Sequence, residues 1–437
     1  MMNMIKRIIL SGLILVNGIT RVLAQSYPLT IEEMFRLADQ NSKSIRAHQL
    51  AIYEAKEGIE VAKNDRLPSL GAQAQFNYIG DGVMTDRDFS NGIHADMPHF
   101  GNSFVVKATQ AIYEGGRVTH NIKQAKLYKQ AAEQEYNENR QNLRFLLIGH
   151  YLDLFQLNNQ KAIYEKNIEQ TQLLVKEMQA AYKQGTALKS DITRYELQLQ
   201  NLELSLTNTN NRIDIINYKL STTIGLPPHT QIMPDTTLLK LMIDKREEQE
   251  WMLAGENAPK LQIADIQIDL SKNKQRLIHS ERLPHISLTA ANDLTGPILI
   301  EVPPMNNNFT YWYAGIGISY SFDALFKANK KIKQARVETK RMEENRRLLQ
   351  EEIENEIHTA YVNLNEAYIR LRTQQKSVQL SHENYNIVHQ RYLNGLALIT
   401  DMLDASNTQL DMELQLSNYQ IGILYQYYLL RKIAGIL

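Results

Sequence analysis

Tyr392-Leu393-Asn394-Gly395-Leu396-Ala397-Leu398-Ile399-Thr400-Asp401-Met402-Leu403-Asp404-Ala405 is the stretch around which the chain is organised. A long heptad-patterned segment arrives at Gly395, glycine being the usual helix terminator. A second helical segment then leaves with two carboxylates in its first turns. Much of the stretch occurs earlier, as Tyr182-Lys183-Gln184-Gly185-Thr186-Ala187-Leu188-Lys189-Ser190-Asp191-Ile192. Gly185 and Gly395 stand 210 residues apart, and so do Asp191 and Asp401. The chain is a tandem duplication, and this turn is the tip of each copy.

Outward from the tips, apolar residues keep a seven-residue grid. Leu154, Ile168, Val175 and Tyr182 precede the first turn, with Leu157, Tyr164 and Met178 on a companion grid. Ile192, Leu199, Leu206, Ile213 and Leu220 follow it as far as Gly225. In the second copy the grid is Leu364, Leu371, Val378, Tyr385 and Tyr392. Sustained heptads predict long helices packed side by side with left-handed supercoiling. The longest, from about Arg117 to Tyr182 and from about Lys327 to Tyr392, contain no proline. Each would be on the order of 100 Å long at 1.5 Å per residue.

Before each long helix the period changes from seven to two. Leu70, Ala72, Ala74, Phe76 and Tyr78 alternate with Gly71, Gln73, Gln75 and Asn77. Phe104, Val106, Ala108 and Ile112 alternate with Lys107 and Thr109. The second copy has Ile286, Leu288, Ala290 and Leu294 against Ser287, Thr289 and Asp293. Its last run sets Trp312, Ala314, Ile316, Ile318, Tyr320 and Phe322 against Tyr311, Tyr313, Gly315, Gly317, Ser319 and Ser321. Each run predicts a strand with one apolar and one polar face. A loop is expected over 79–101.

A single helix from about Leu29 to Asn64, capped by Thr30 and stopped by Leu67-Pro68, is expected to open the first copy. Leu253-Ala254, Asn257 and Leu283-Pro284 answer Leu37-Ala38, Asn41 and Leu67-Pro68 at an offset of 216. The residues fall into a signal peptide (1–24), a first repeat (25–225), a linker of loop and short charged helix (226–256) and a second repeat (257–437). The signal peptide is read from Lys6 and Arg7, the apolar run Ile8–Val16 and the small exit residue Ala24.

Composition closes off several classes. The 48 basic and 48 acidic residues cancel, which gives no lead to nucleic acid, and the absence of cysteine removes disulfides, thiolate metal sites and lipidation through Cys. There is no HExxH, GxSxG or P-loop, so no enzyme is expected, nor any cofactor or metal. His94, Asp96 and His99 cluster in the first strand loop without metal-ligand spacing and read as a solvated loop. An exported chain without an apolar run of ~18 residues is soluble or enters a membrane as a β-barrel. Four strands are too few to close one, since the smallest membrane barrels use eight. Several chains must therefore contribute.

The ordered set of these features closely resembles the TolC family, the outer-membrane efflux channels of Gram-negative bacteria. The resemblance is carried by Leu29-Thr30-Ile31-Glu32-Glu33, Asn41 with Ile45, Leu67-Pro68-Ser69-Leu70, Gln110-Ala111-Ile112-Tyr113-Glu114-Gly115-Gly116-Arg117, Tyr392–Gly395 and Asp401–Ala405. It implies a mixed fold, an α-helical barrel joined to a transmembrane β-barrel. Homotrimers would make twelve strands in the outer membrane and a periplasmic tunnel. It also implies a periplasmic adaptor, an inner-membrane transporter and outer-membrane lipid as partners, with no chemistry performed. A coiled-coil scaffold without channel activity would explain the heptads but not the strands.

By the same resemblance, Asp401 and Asp404 match acidic rings at the periplasmic entrance, and Tyr392 and Asp191 match residues that help hold it closed. Asp401 and Asp191 also suit a role as plain helix-start acids, but Asp404, one turn on and on the same face as Asp401, favours the acidic ring. Gly185, Gly395 and Leu396 are adaptor-contact candidates, and Tyr311, Trp312 and Tyr313 candidates for a membrane-interface girdle. Ala397 departs from the family, where an arginine ties neighbouring helices. Asp323-Ala324-Leu325-Phe326 departs where a glycine pair is usual.

Overall fold

In chain order the computed structural model contains Ser26–Leu29 (β1), Ile31–Asn41 (α1), Lys43–Asn64 (α2), Ser69–Tyr78 (β2), Gly82–Met84 (β3), Ile93–Ala95 (β4), Phe100–Glu114 (β5), Arg117–Lys183 (α3) and Lys189–Ile224 (α4). It continues with Gln231–Pro234 (β6), Glu248–Gly255 (α5), Pro259–Ser280 (α6), His285–Gly296 (β7), Phe309–Ser319 (β8), Ala324–Leu393 (α7) and Ile399–Ile433 (α8). The structure describes residues 26–228, 230–235, 246–301 and 304–437. The expected signal peptide, 1–24, lies outside the described residues.

The duplication holds at the level of elements. Helices α2 and α6 both have 22 residues, α3 and α7 have 67 and 70, and α4 and α8 have 36 and 35. Two units form, one from 26–48, 136–259 and 350–437, the other from 49–135 and 260–349.

The first unit is mainly helical. Its main core gathers Leu147, Ile148, Leu152 and Leu154 of α3 with Met34 and Ala38 of α1, Leu220 and Ile224 of α4, Ile232 of β6, and Leu424 of α8. Here the structure corrects the expected first helix, which is two helices preceded by a strand. Residues 26–29 pair in parallel with Gln231–Pro234, a stretch read from the sequence as linker loop. The buried Tyr151 hydroxyl joins the two segments, donating to the Leu29 carbonyl at 2.5 Å and accepting from the Asp235 N–H at 2.8 Å.

The helix is broken at Ser42, whose backbone is extended (φ −65°, ψ 127°). The break has a purpose visible in the bonding, because Asn41 Nδ2 donates to the Ile224 carbonyl at 3.0 Å and so caps the end of α4. Gly225 beside it lies at φ +78°, and a Cβ there would stand 2.5 Å from that of Asn41. Only glycine fits the turn.

The second unit carries a four-stranded antiparallel sheet in the order β2-β5-β7-β8. Register keeps the apolar residues together across all four strands. Leu70 faces Ala108, which faces Ala290, which faces Ala314; Ala74 faces Phe104, which faces Leu294. Behind them Gln73, Lys107, Thr289 and Gly315 share the other face. Strand β5 is longer than expected, and a bulge between Ala111 and Tyr113 puts Tyr113 opposite Ile286, so Ile112 does not continue the apolar face. Within the expected 79–101 loop, β3 and β4 form a small hairpin. No helix among the described residues is long and apolar enough to cross a membrane.

Candidate functional site

Both tips are built alike, and the bonding shows why their sequences agree. At the first, the Thr186 N–H donates to the Ala181 carbonyl at 2.9 Å and the Gly185 N–H to Tyr182 at 3.0 Å. At the second, Leu396 donates to Arg391 at 2.8 Å and Gly395 to Tyr392 at 2.9 Å. These paired bonds satisfy the last carbonyls of α3 and α7 and need a left-handed residue, supplied by Gly185 at φ +79° and Gly395 at φ +69°. Nothing lies within 4 Å of where a Cβ would stand at either glycine.

The next helices start without a side-chain cap, because Leu188 and Leu398 occupy positions where Ser, Thr, Asp or Asn is the rule. Asp191 and Asp401 compensate. The Asp191 carboxylate accepts from the Leu188 N–H at 3.2 Å and that of Asp401 from the Leu398 N–H at 3.0 Å. Their placement also favours the helix dipole. Asp404, one turn on, is exposed, and its carboxylate has no hydrogen bond or ion pair among the described residues. Leu188, Leu396 and Leu398 are exposed, so each tip displays leucine beside its glycine turn. Leu188 and Leu398 stand in the two repeated stretches at the same 210-residue offset, but of these leucines only Leu396 is singled out from the sequence.

Behind the tips an apolar cluster joins the two hairpins. Val175 and Met178 of α3, Tyr195 of α4 and Met402 of α8 are buried, with Ile192, Tyr385, Val388, Tyr392, Ile399 and Leu403 packed around them. The Tyr392 hydroxyl donates to Met178 Sδ at 3.0 Å, not to Asp191. Tyr195 is 2% exposed and its hydroxyl has no hydrogen-bond partner among the described residues. Burial raises the pKa of both phenols. An unmet buried hydroxyl costs about 1–3 kcal/mol, so this cluster is less stable than its apolar content implies. Further polar ties cross between copies: Gln198 donates to Asn407 Oδ1 at 2.7 Å, and Lys166 lies 3.6 Å from Glu413.

Residue 397, where the resemblance implies an arginine, is alanine, and the arginine of this tip is Arg391. Arg391 donates to the Leu396 carbonyl at 3.3 Å and so braces its own turn.

The apolar sheet face is the other candidate surface. Trp312, Ile316 and Ile318 are 76%, 72% and 71% exposed, with Leu70 and Val106 on the same face. Burying five such side chains is worth roughly 10 kcal/mol at ~1.5–3 kcal/mol each. A whole domain is stable by only about 5–15 kcal/mol. Strands β2 and β8 also leave two open edges. Tyr311 and Tyr313 stand on the opposite face from Trp312, their rings stacked with centroids 6.2 Å apart. The three aromatics therefore do not share one surface.

His94 lies on β4, while His99 Nδ1 is 2.9 Å from the Ile79 carbonyl oxygen. No cluster of His, Cys, Asp and Glu among the described residues has the geometry to hold a metal.

The family model described as outer membrane efflux protein matches 34–226 and 252–435. No curated protein matches the chain. Solved structures do. A membrane protein from Pseudomonas aeruginosa aligns with a TM-score of 0.76 at 15% identity, over 93% of this chain and 90% of that one. The outer membrane protein VceC of Vibrio cholerae aligns with a TM-score of 0.74 at 15% identity, over 93% and 96%. The MtrE outer membrane channel of Neisseria gonorrhoeae, in its open state, aligns with a TM-score of 0.71 at 14% identity, over 93% and 88%.

Proposed function

From the premise that the chain belongs to the outer membrane efflux protein family, we propose that three copies assemble into one exit duct, each giving four strands to a twelve-stranded barrel. The protein is an outer-membrane efflux channel and not an enzyme. The observation that carries the assembly is the sheet itself, with its apolar residues aligned in register across four strands and both edges open. Closure with other copies satisfies the edges and turns the apolar face to outer-membrane lipid and the Gln, Thr and Gly face to water. Trp312 then belongs with the lipid-facing side chains and Tyr311 and Tyr313 with the lumen.

The tips serve as the periplasmic mouth in this reading. Gly185, Gly395 and Leu396, with Leu188 and Leu398, present the surface for a periplasmic adaptor joined to an inner-membrane transporter. Asp404 from three chains supplies most of an acidic ring, because the Asp401 carboxylate is partly committed to its helix start. Tyr392 and Asp191 act through the apolar cluster and the helix cap, without a bond between them.

Reconstitution into planar bilayers tests the duct. Discrete ion-conducting steps from the purified full chain are expected; a protein that binds membranes without conducting would overturn the reading in favour of a scaffold.

A further inference from the structure

At the β8–α7 junction the duplication fails to repeat itself. The first copy turns through Gly115-Gly116, with Gly115 at φ +61° and so close to α6 that an added Cβ would stand 2.7 Å from the Ser280 carbonyl oxygen. The second copy has Asp323-Ala324-Leu325-Phe326. Phe322 and Phe326 are 71% and 78% exposed just beyond the apolar face of β8, and Tyr320 meets Phe322 edge-on at 5.1 Å.

Helix α7 buries Ala328, Ala335 and Thr339. At ~3.6 residues per turn, the side opposite these carries Phe326, Lys330, Lys333, Val337, Lys340 and Arg341, all of them exposed. Ion pairing sorts the basic residues. Lys327 and Lys331, on the flanks, pair with Asp323 at 2.7 Å and Glu281 at 2.8 Å. Lys330, Lys333, Lys340 and Arg341 have no ion pair among the described residues. Uncompensated positive charge thus lines the outward stripe, a few residues along the chain from the exposed aromatics that follow β8.

We propose that Phe322, Phe326, Lys330 and Lys333 form a binding site for anionic phospholipid headgroups of the periplasmic leaflet. The site rests on the reading that the sheet's apolar face meets lipid. Distance selects the residues. Lys330 and Lys333 lie about 9 and 14 Å along the helix from Ala324, and Lys340 about 24 Å. A headgroup layer adds only about 5–8 Å beyond the hydrocarbon, and a lysine stem extends the reach by several more. At a Debye length of about 10 Å, Lys340 and Arg341 are out of range. Aromatic rings at the hydrocarbon boundary and ammonium groups just beyond it match the order of layers in the leaflet.

The test uses the full chain in phosphatidylcholine bilayers, with spin-labelled phosphatidylglycerol or phosphatidylcholine as probe. The electron spin resonance spectrum gives the motionally restricted fraction of each. The expected result is a restricted component with a phosphatidylglycerol preference that high salt weakens. The preference is lost in Lys330→Gln/Lys333→Gln and kept in Lys330→Arg/Lys333→Arg and in Lys340→Gln/Arg341→Gln. Each lysine is worth about fivefold at its own headgroup. A restricted component without preference, or a preference unchanged in the Gln pair, overturns the site while leaving the lipid-facing sheet intact. No restricted component overturns both. If the Gln pair instead dissociates the assembly, the stripe is an interface between copies and the proposal fails.

Discussion

Replacing Tyr195 with Phe tests whether the apolar cluster behind the tips is the joint that holds the two hairpins together. Tyr195 is buried among Val175, Met178 and Met402 with its hydroxyl unmet. Removing that oxygen leaves the packing in place and lifts a desolvation cost of about 1–3 kcal/mol. If opening the mouth requires the hairpins to part, the closed state gains about 1–2 kcal/mol and spontaneous opening falls roughly 5- to 30-fold, at tenfold per 1.4 kcal/mol. Met402→Ala works in the opposite direction. It deletes a fully buried side chain and leaves a cavity costing about 2–5 kcal/mol, so opening rises at least thirtyfold. Single-channel recording gives the open fraction of each variant directly. An unchanged or raised open fraction in Tyr195→Phe would refute the reasoning, since the hydroxyl would then be contributing a bond to the closed state.

Four further outcomes are expected. Asp404→Ala removes most of the block of reconstituted channels by trivalent cations, whereas Asp401→Asn keeps the Leu398 cap and removes less; equal loss in the two would mean both carboxylates face the pore. Gly395→Arg, which forces a left-handed backbone on a bulky residue at an open tip, abolishes export while assembly persists on native gels. Tyr151→Phe strands the Leu29 carbonyl and the Asp235 N–H and lowers thermal stability by about 2–3 kcal/mol. His150 has a depressed pKa, chiefly from burial and then from Lys219, so its stability contribution is full above the unfolded value of about 6.5 and is lost as pH falls below it. Melting at pH 7 and pH 5 should show an acid loss that His150→Gln reduces.

Much of the architecture was legible because periodicity reports which side of an element is apolar. The four alternating runs became four strands, and the turn at Gly395 became a helix end with the expected geometry. The seams inside the helices were harder. The grid from Ile192 to Leu220 was found, yet the more deeply buried companion is Tyr195, Leu202, Thr209 and Ile216, where a threonine interrupts the apolar signal. Helix α7 hides a seam in the same way, burying Ala360, Gln374 and Ser381. Small and polar residues in a long-helix seam carry no hydrophobic signature. The break at Ser42 was also invisible, because its cause is a bond from Asn41 to a carbonyl 183 residues away. The pairing of 26–29 with 231–234 is equally non-local. At the tip, the acidic residues were found by pattern, but only the bonding separates Asp401, tied to its helix start, from the unencumbered Asp404.

The most direct test of the account is the number of chains in the detergent-solubilised particle, measured by native mass spectrometry on protein extracted from outer membranes. Three chains, held together until heated, is the predicted result, because an in-register apolar sheet face with two open edges requires partners to close it. A stable single chain that remains in aqueous solution without detergent would contradict it.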